Sequence, residues 1–184
     1  MEISILQETS SGETRVAAVP ETIAKLTALG HEISIQSGAG TRAGFMDTAF
    51  EDAGATVAST AELTTTNSDV VLCVAPPDDQ TISALPEGST LVGLLDPFNA
   101  ERTLKAFNAN DISALAMEFT PRITRAQAMD ALSSQSNLAG YRAVIEGAQA
   151  YGRAMPMMMT AAGTVAPAKV FVMGAGVAGL QAIA

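Results

Sequence analysis

Three glycines near the end of the chain have the spacing of a phosphate-binding turn. Gly174, Gly176 and Gly179 follow a short apolar run at residues 169–173 and precede a helix-forming run at residues 180–184. In the order strand, G-x-G-x-x-G turn and helix, the first glycine permits a tight turn and the second lets the backbone approach a pyrophosphate. The third lets the helix pack closely on the strand, and N–H groups at the helix start attract phosphate oxygens. The pattern predicts a dinucleotide-binding turn, and the alternative is a structural turn that binds nothing.

The carboxylate that completes this motif is absent from the sequence. Dinucleotide-binding domains place an acidic residue about 20 positions after the glycines, where it binds a ribose hydroxyl. The chain ends at Ala184, before that position. We therefore expect residues 166–184 to be the first strand, turn and helix of a truncated NAD-binding domain, which binds NAD poorly by itself. The helix after Gly179 is expected to be frayed or packed on a neighbour.

A second group of polar side chains follows a predicted strand, where open α/β sheets place ligands. Arg122, Gln127, Asp130 and Ser133 supply a permanent cation, an amide that donates and accepts, an anion and a hydroxyl. This mixture suits a carboxamide and ribose hydroxyls better than it suits acid–base chemistry. The alternative is a solvated loop that leads into a helix, with Asp130 or Ser133 as its N-cap. The residues alone leave both readings open.

Three further residues have the chemistry for a site but also have simpler readings. Arg15 could bind a carboxylate or phosphate through two N–H groups of its guanidinium. The alternative, an ion pair with Glu13 or Glu21, has at least equal weight. The only histidine, His31, is expected to be a surface residue at a helix end. The only cysteine, Cys73, lies in an apolar run and is expected to be inert core. One histidine and one cysteine cannot assemble a zinc site of the common kinds, so no metal site is predicted.

Alternating strands and helices must position these groups. The sequence predicts strands at residues 3–6, 32–36, 70–74, 90–95 and 112–117, and helices at residues 20–30, 47–53 and 99–107. Asp47 is the expected N-cap of the second helix. Fully apolar strands that alternate with helices are typical of a parallel sheet. We therefore predict an α/β fold with a doubly wound, Rossmann-like N-terminal domain over residues 1–120.

Residues 121–165 are predicted to hold a binding loop and an inter-domain helix and linker. A proline-free, helix-forming stretch runs over residues 122–153. Small residues suited to close packing on another helix recur along it, at Ala139, Ala143, Gly147 and Ala150. Residues 154–168 are expected to form an irregular apolar loop.

The composition excludes several classes of function. Of the 184 residues 48% are hydrophobic and 16% are charged, which is enough apolar content for a folded core. The net charge is −9 and the ten lysines and arginines are scattered, so a nucleic-acid surface is not expected. No uninterrupted apolar run of about 20 residues is present, so the chain is not expected to cross a membrane.

Six segments of the chain resemble one known family. They are similar to the NAD(H)-binding component, the N-terminal part of the alpha subunit, of proton-translocating NAD(P) transhydrogenases, within the wider alanine dehydrogenase/transhydrogenase family. The segments are residues 13–20, 36–40, 121–127, 130–134, 137–142 and 173–180. Residues 121–142 carry the most specific part of the resemblance.

The resemblance implies an oxidoreductase with NAD(H) in a cleft between two α/β domains. That component is a homodimer at the cytoplasmic face of the inner membrane. It exchanges hydride directly between NADH and NADP+, which is held on a partner component, and the exchange is coupled to proton translocation through a membrane component. Because hydride passes from one nicotinamide to another, no catalytic acid or base is required.

The resemblance also assigns roles to individual residues. Arg122, Gln127 and Asp130 would form the catalytic loop and, with Ser133, would surround the nicotinamide and its ribose. Gln127 would contact the nucleotide on the partner component. The pyrophosphate would be received by Gly174, Gly176 and Gly179.

Two alternative functions remain open at this stage. An alanine dehydrogenase-like amino-acid oxidoreductase would share the architecture and Arg15. That family has a lysine at the position of Cys73 and a histidine where Asp96 aligns, and both are absent here. The lysine is also usual in transhydrogenases, so Cys73 departs from both. The other alternative is a non-catalytic interaction module with the same first domain.

Overall fold

The computed structural model describes residues 1–184 and divides them into two compact units. Unit 1 is Met1–Thr120 and unit 2 is Pro121–Ala184. No helix in either unit combines the length and the hydropathy that a membrane span requires.

Unit 1 contains one six-stranded sheet in which all neighbours are parallel. Its strands are β1 (Glu2–Ile5), β2 (Glu32–Gln36), β3 (Thr56–Ala58), β4 (Val70–Leu72), β5 (Thr90–Gly93) and β6 (Ser113–Ala116). The spatial order is β3-β2-β1-β4-β5-β6, so the winding reverses between β1 and β4. This reversal makes the sheet doubly wound, with its switch point beside β1, and it confirms the predicted fold class.

Five helices connect these strands. They are α1 (Pro20–Ala28), α2 (Asp47–Asp52), α3 (Ala61–Thr65), α4 (Asp79–Ala84) and α5 (Glu101–Ala109). The first helix begins at a proline, whose missing N–H costs nothing at that position. In its first turn Glu21 accepts a hydrogen bond of 2.7 Å from Lys25, four residues later.

The predicted N-cap of α2 is wrong by one residue. Met46 occupies the cap position, and Asp47 is the first helical residue. The Asp47 carboxylate instead accepts hydrogen bonds from the Ser37 hydroxyl (2.7 Å) and the Gly38 N–H (2.9 Å). It therefore closes the turn after β2, a long-range role that helix-start patterns do not describe.

Two clusters of buried side chains form the core of unit 1. One is built around Ile5, Ile23, Ile35 and Phe50, and each of these is at most 1% exposed. The other surrounds Val71, Ile82, Leu91 and Phe107, the last of which is 2% exposed. Full burial of such a side chain stabilises the fold by about 1.5–3 kcal/mol relative to exposure. The apolar runs in the sequence predicted the sheet because their side chains form these two clusters.

Unit 2 is mainly helical. Its elements are a 3₁₀ helix (Thr124–Met129), α6 (Ala131–Tyr151), a hairpin of β7 (Met158–Thr160) and β8 (Gly163–Val165), and α7 (Val177–Ile183). Helix α7, which contains Gly179, is packed on α6.

The prediction of an irregular loop at residues 154–168 is wrong, because these residues contain the β7–β8 hairpin. The hydroxyl of Thr160 donates to the Gly163 carbonyl (3.0 Å) and accepts from the Ala162 N–H (3.2 Å), which closes the turn. Gly163 lies at φ +132°, where glycine is favoured. The turn, Ala161-Ala162, lacks the Asn-Gly type signature that marks hairpins in sequences.

The strand predicted at residues 169–173 is also absent. These residues pair with no other segment, and Phe171 and Met173 are 85% and 88% exposed. A strand exists through the hydrogen bonds of a ladder, so an apolar β-type run without a neighbouring strand stays unpaired.

Candidate functional site

An open pocket of about 330 Å³ in unit 2 brings together five of the seven predicted site residues. These are Arg122, Ser133, Gly174, Gly176 and Gly179. Leu132 and Ser136 from α6 and Met173, Val177 and Ala178 complete the lining. The two predicted constellations, which are about 40 residues apart in sequence, therefore share one concave surface.

The three glycines have the separate geometries that the motif requires. Gly174 lies at φ +104°, a backbone conformation that L side chains rarely adopt. A Cβ added at Gly179 would lie 2.0 Å from the Gly174 carbonyl oxygen, so only glycine lets the helix start so close to the turn. A Cβ added at Gly176 would meet no atom within 4 Å. That open space on the pocket wall fits the close approach of a pyrophosphate.

Ser133 and Asp130 form the first turn of α6. Asp130 is the N-cap, and its carboxylate accepts hydrogen bonds from the Ser133 N–H (2.9 Å) and hydroxyl (2.6 Å). The hydroxyl contact, followed by the backbone contact, lowers the pKa of Asp130. Asp130 does not line the pocket. The capping alternative is therefore confirmed for Asp130, whereas Ser133 caps nothing and lines the pocket.

Gln127 and Arg122 lie on the chain that leads into α6. Gln127 is in the exposed 3₁₀ helix, which Ala126, at 3% exposure, anchors. Its side chain is exposed and is not part of the pocket wall. Arg122 is exposed and lines the pocket, where a guanidinium can bind anionic oxygens. Thus the structure places Arg122 at the glycine turn and Gln127 away from it.

Arg15 forms an ion pair with Glu13, which is one of the two interactions predicted for it. Its Nε donates to one carboxylate oxygen of Glu13 (2.8 Å), and its terminal nitrogen donates to the other (2.6 Å). This hydrogen-bonded pair lowers the pKa of Glu13 to about 2 and raises that of Arg15. The guanidinium is already engaged by a carboxylate of its own loop.

A smaller cavity, of about 120 Å³, lies at the switch point of the sheet in unit 1. Sequence reasoning missed its central group, Glu8, which is 6% exposed. The Glu8 carboxylate accepts hydrogen bonds from the Val74 N–H (2.5 Å) and the Ala75 N–H (3.1 Å). Burial is the main cause that raises its pKa. The sequence signal that could have indicated Glu8 is its place just beyond the end of the buried strand β1.

Cys73 and His31 were considered as possible site residues, and both are at least partly buried. Cys73 lines the same cavity at 6% exposure, and desolvation, with the nearby charge of Glu8, raises its pKa to about 12. A thiol in this state is not a nucleophile, so the prediction of an inert core cysteine is confirmed. His31 is partly buried between α1 and β2, rather than fully on the surface.

Comparison with known proteins places the chain in a family. The profile of the alanine dehydrogenase/PNT N-terminal domain matches residues 4–139, and that of the alanine dehydrogenase/PNT C-terminal domain matches residues 143–184. The chain belongs to the alanine dehydrogenase/PNT family.

Relatives within the family differ in their similarity. The chain is 50% identical to an NAD(P) transhydrogenase subunit alpha protein of Rhodospirillum rubrum, over all of this chain and 49% of that protein. It is 33% identical to an alanine dehydrogenase of Mycolicibacterium smegmatis, over 99% of this chain and 49% of that protein. The chain thus spans about half the length of these relatives. The resemblance to transhydrogenases is confirmed, and alanine dehydrogenase is the more distant relative.

A solved structure supports the same placement. The structure of a transhydrogenase from Sinorhizobium meliloti matches with a TM-score of 0.95 and 49% identity. The match covers all of this chain and 55% of that chain.

Proposed function

We propose that the chain is the NAD(H)-binding part of a proton-translocating NAD(P) transhydrogenase. In this function hydride passes directly between NADH and NADP+, and the exchange is coupled to proton movement across a membrane. NADP(H) is held by a partner component. A homodimer of this component sits at the cytoplasmic face of the inner membrane, beside the membrane and NADP(H)-binding components.

The observation that carries the proposal is the shared pocket of Arg122, Ser133 and the glycine turn. The open space at Gly176 admits a pyrophosphate, and the Arg122 guanidinium offers positive charge beside it. Residues 166–184 then begin the NAD-binding domain, and residues 121–165 supply its loop and linker.

The remaining residues of the loop have separate tasks. The Ser133 hydroxyl donates to Asp130 and keeps its lone pairs for a ribose hydroxyl or carboxamide. Asp130 orients Ser133 and fixes the start of α6. The exposed amide of Gln127 is presented outward, where it can contact the nucleotide on the partner component.

The chemistry itself belongs to the cofactor, since a bound nicotinamide supplies or accepts the hydride. The chain's task is to position the ring and to limit access of water. This division of labour suits a site that has no histidine or lysine in its wall.

Amino-acid oxidation has less support. Arg15 forms an ion pair with Glu13, so a substrate carboxylate at Arg15 would have to share its guanidinium with Glu13. Cys73 does not separate the two functions, because the lysine it replaces is usual in both groups of the family. The identities of 50% with the transhydrogenase relative and 33% with the alanine dehydrogenase favour the first.

The test is NADH binding measured by NADH fluorescence in two forms of the protein. One form is the 184-residue chain, and the other adds the C-terminal half of the Rhodospirillum rubrum relative after residue 184. We expect weak binding by the first and tight binding by the second. Arg122→Ala should weaken binding by about tenfold or more, as loss of a charge-assisted contact does.

Arg125→Ala is the matched control, because Arg125 lies in the same segment and does not line the pocket. Equal effects of the two substitutions would contradict the placement of the pyrophosphate at this pocket. No binding in either form would overturn the enzyme proposal and favour the interaction module.

A further inference from the structure

The two helices that form the walls of the candidate pocket touch at a glycine outside it. Gly140 of α6 is buried, and a Cβ added there would lie 2.2 Å from the Ala178 carbonyl oxygen of α7. It would also lie 2.9 Å from the Ala178 carbonyl carbon and 2.9 Å from its Cα. All three atoms are backbone, so the contact cannot be relieved by rotation of a flexible side chain.

A hydrogen bond fixes the same helix pair one turn away. The Asn137 side-chain amide donates to the Gln181 side-chain carbonyl at 2.9 Å. Asn137 and Gly140 are three residues apart on α6, and Ala178 and Gln181 are three apart on α7, so each pair lies on one helix face. The two contacts together set both the separation and the register of the helices.

This helix pair determines the shape of the pocket. The first turns of α6 supply Leu132, Ser133 and Ser136. The chain that leads into and through the first turn of α7 supplies residues 173, 174 and 176–179. A shift of α7 therefore moves Gly176 and Gly179 relative to Ser133.

We propose that Gly140 is a positioning residue that sets the width of the nucleotide pocket, with the Asn137–Gln181 hydrogen bond setting its register. The proposal rests on the proposed function. Gly140 itself does not line the pocket, so it acts only through the placement of α7.

The size of the expected effect follows from the geometry. Real Cβ contacts are essentially never shorter than 3.0 Å, so an alanine at 140 requires α7 to move by at least 0.8 Å (3.0 minus 2.2). Such a shift moves the glycine turn relative to Ser133. Loss of one charge-assisted contact to the pyrophosphate lowers affinity by about tenfold, so we expect NADH affinity to fall by about that factor.

The test compares Gly140→Ala with Gly147→Ala. Gly147 lies on the same helix, and a Cβ added there meets no atom within 4 Å. Both substitutions add the same favourable helix propensity, so a difference between them isolates the contact with α7. Asn137→Ala should have a smaller effect in the same direction as Gly140→Ala.

Two readouts separate this proposal from the proposed function. Hydrogen exchange in the 184-residue chain reports the docking of α7 through the Leu180 and Ala184 amides, which donate to Gly176 and Leu180 within the helix. NADH affinity of the longer form reports the pocket. Gly140→Ala should accelerate exchange by about tenfold and weaken NADH binding, with the unfolding midpoint of unit 1 unchanged. Gly147→Ala should do neither.

Equal exchange and equal affinity in the two variants would overturn the proposal. Faster exchange with unchanged affinity would also overturn it, because α7 would then be displaced without effect on the pocket. If the unaltered longer form binds no NADH, the proposed function fails, and so does the proposed effect of Gly140 on NADH binding. Hydrogen exchange would in that case still show whether Gly140 places α7.

Discussion

At the scale of single residues, Gly176 and Gly179 of the glycine turn have different steric surroundings. Gly179 has no room for a side chain, because an added Cβ would lie 2.0 Å from a backbone oxygen. Gly176 has room in the folded chain, and that room faces the candidate pocket. We therefore propose that Gly179 serves folding and that Gly176, three positions earlier, serves binding.

This difference predicts opposite results for two alanine substitutions. Gly179→Ala should remove the hydrogen-exchange protection of α7, because the helix cannot start against the Gly174 carbonyl. Gly176→Ala should leave this protection intact and still weaken NADH binding by about tenfold, since a methyl group would occupy the space of the pyrophosphate. Loss of α7 protection in both variants would show that Gly176 is needed for folding.

The Glu13–Arg15 pair predicts a dependence of stability on pH. The pKa of Glu13 is lowered from 4.5 to about 2 in the folded chain, first through its hydrogen bond with Arg15. A lowered folded pKa gives a contribution that is fully present above pH 4.5 and is lost as the pH falls towards 2. Between those values the unaltered chain should lose more of its free energy of unfolding than Glu13→Gln does.

The measurement is urea unfolding at a series of pH values. Glu62→Gln is the control, because Glu62 is an exposed carboxylate of α3. The ion pair would be shown to contribute nothing to stability if the Glu13→Gln and Glu62→Gln curves coincided with that of the unaltered chain.

At the scale of elements, Asp130 caps α6, and two substitutions separate this role from the role in NADH binding that is proposed for it. Asparagine caps helices as well as aspartate does, whereas alanine does not. Asp130→Asn should therefore keep the melting temperature of the chain, and Asp130→Ala should lower the helicity of α6 on heating. If the carboxylate serves NADH binding as well, Asp130→Asn should weaken that binding several-fold with no loss of stability.

Circular dichroism and NADH fluorescence on the two variants provide the measurement. Full NADH affinity in Asp130→Asn would restrict Asp130 to its capping role and remove it from the catalytic loop.

The elements that the sequence predicted are those with a strong local signal. Strand β2 has the predicted bounds, because its alternating isoleucines are buried at Ile33 and Ile35. Strand β3 and helices α3 and α4 were missed. They have only three to six residues each, too few for a periodic pattern.

The candidate site shows a similar division. The glycine turn was visible because its spacing is local, and its association with Arg122 followed only from the resemblance to a family. Two other features of the structure depend on contacts between segments far apart in sequence. One is the close contact of Gly140 with α7, and the other is the pair of hydrogen bonds from the N–H groups after β4 to Glu8. Such contacts leave no pattern in a single sequence.

At the scale of the whole molecule, burial is distributed unevenly between the two units. Both buried core clusters lie in unit 1. In unit 2 the only buried hydrophobic side chain is Ala126, and Phe171 and Met173 are almost fully exposed. Since buried apolar area is the main stabilising contribution to folding, nearly all of the stability should reside in unit 1.

This distribution predicts that residues 1–120 fold without the rest of the chain. A protein that ends at Thr120 keeps all six paired strands and both clusters, so its urea midpoint should match that of the main transition of the 184-residue chain. Residues 121–184 alone should unfold without a cooperative transition, because a segment of about 60 residues with almost no core lacks the buried area that cooperativity requires. Circular dichroism during urea titration of the three proteins tests both statements. A substantially lower midpoint for residues 1–120 would show that unit 1 draws stability from unit 2, and the assignment of its core to residues 1–120 would then be incomplete.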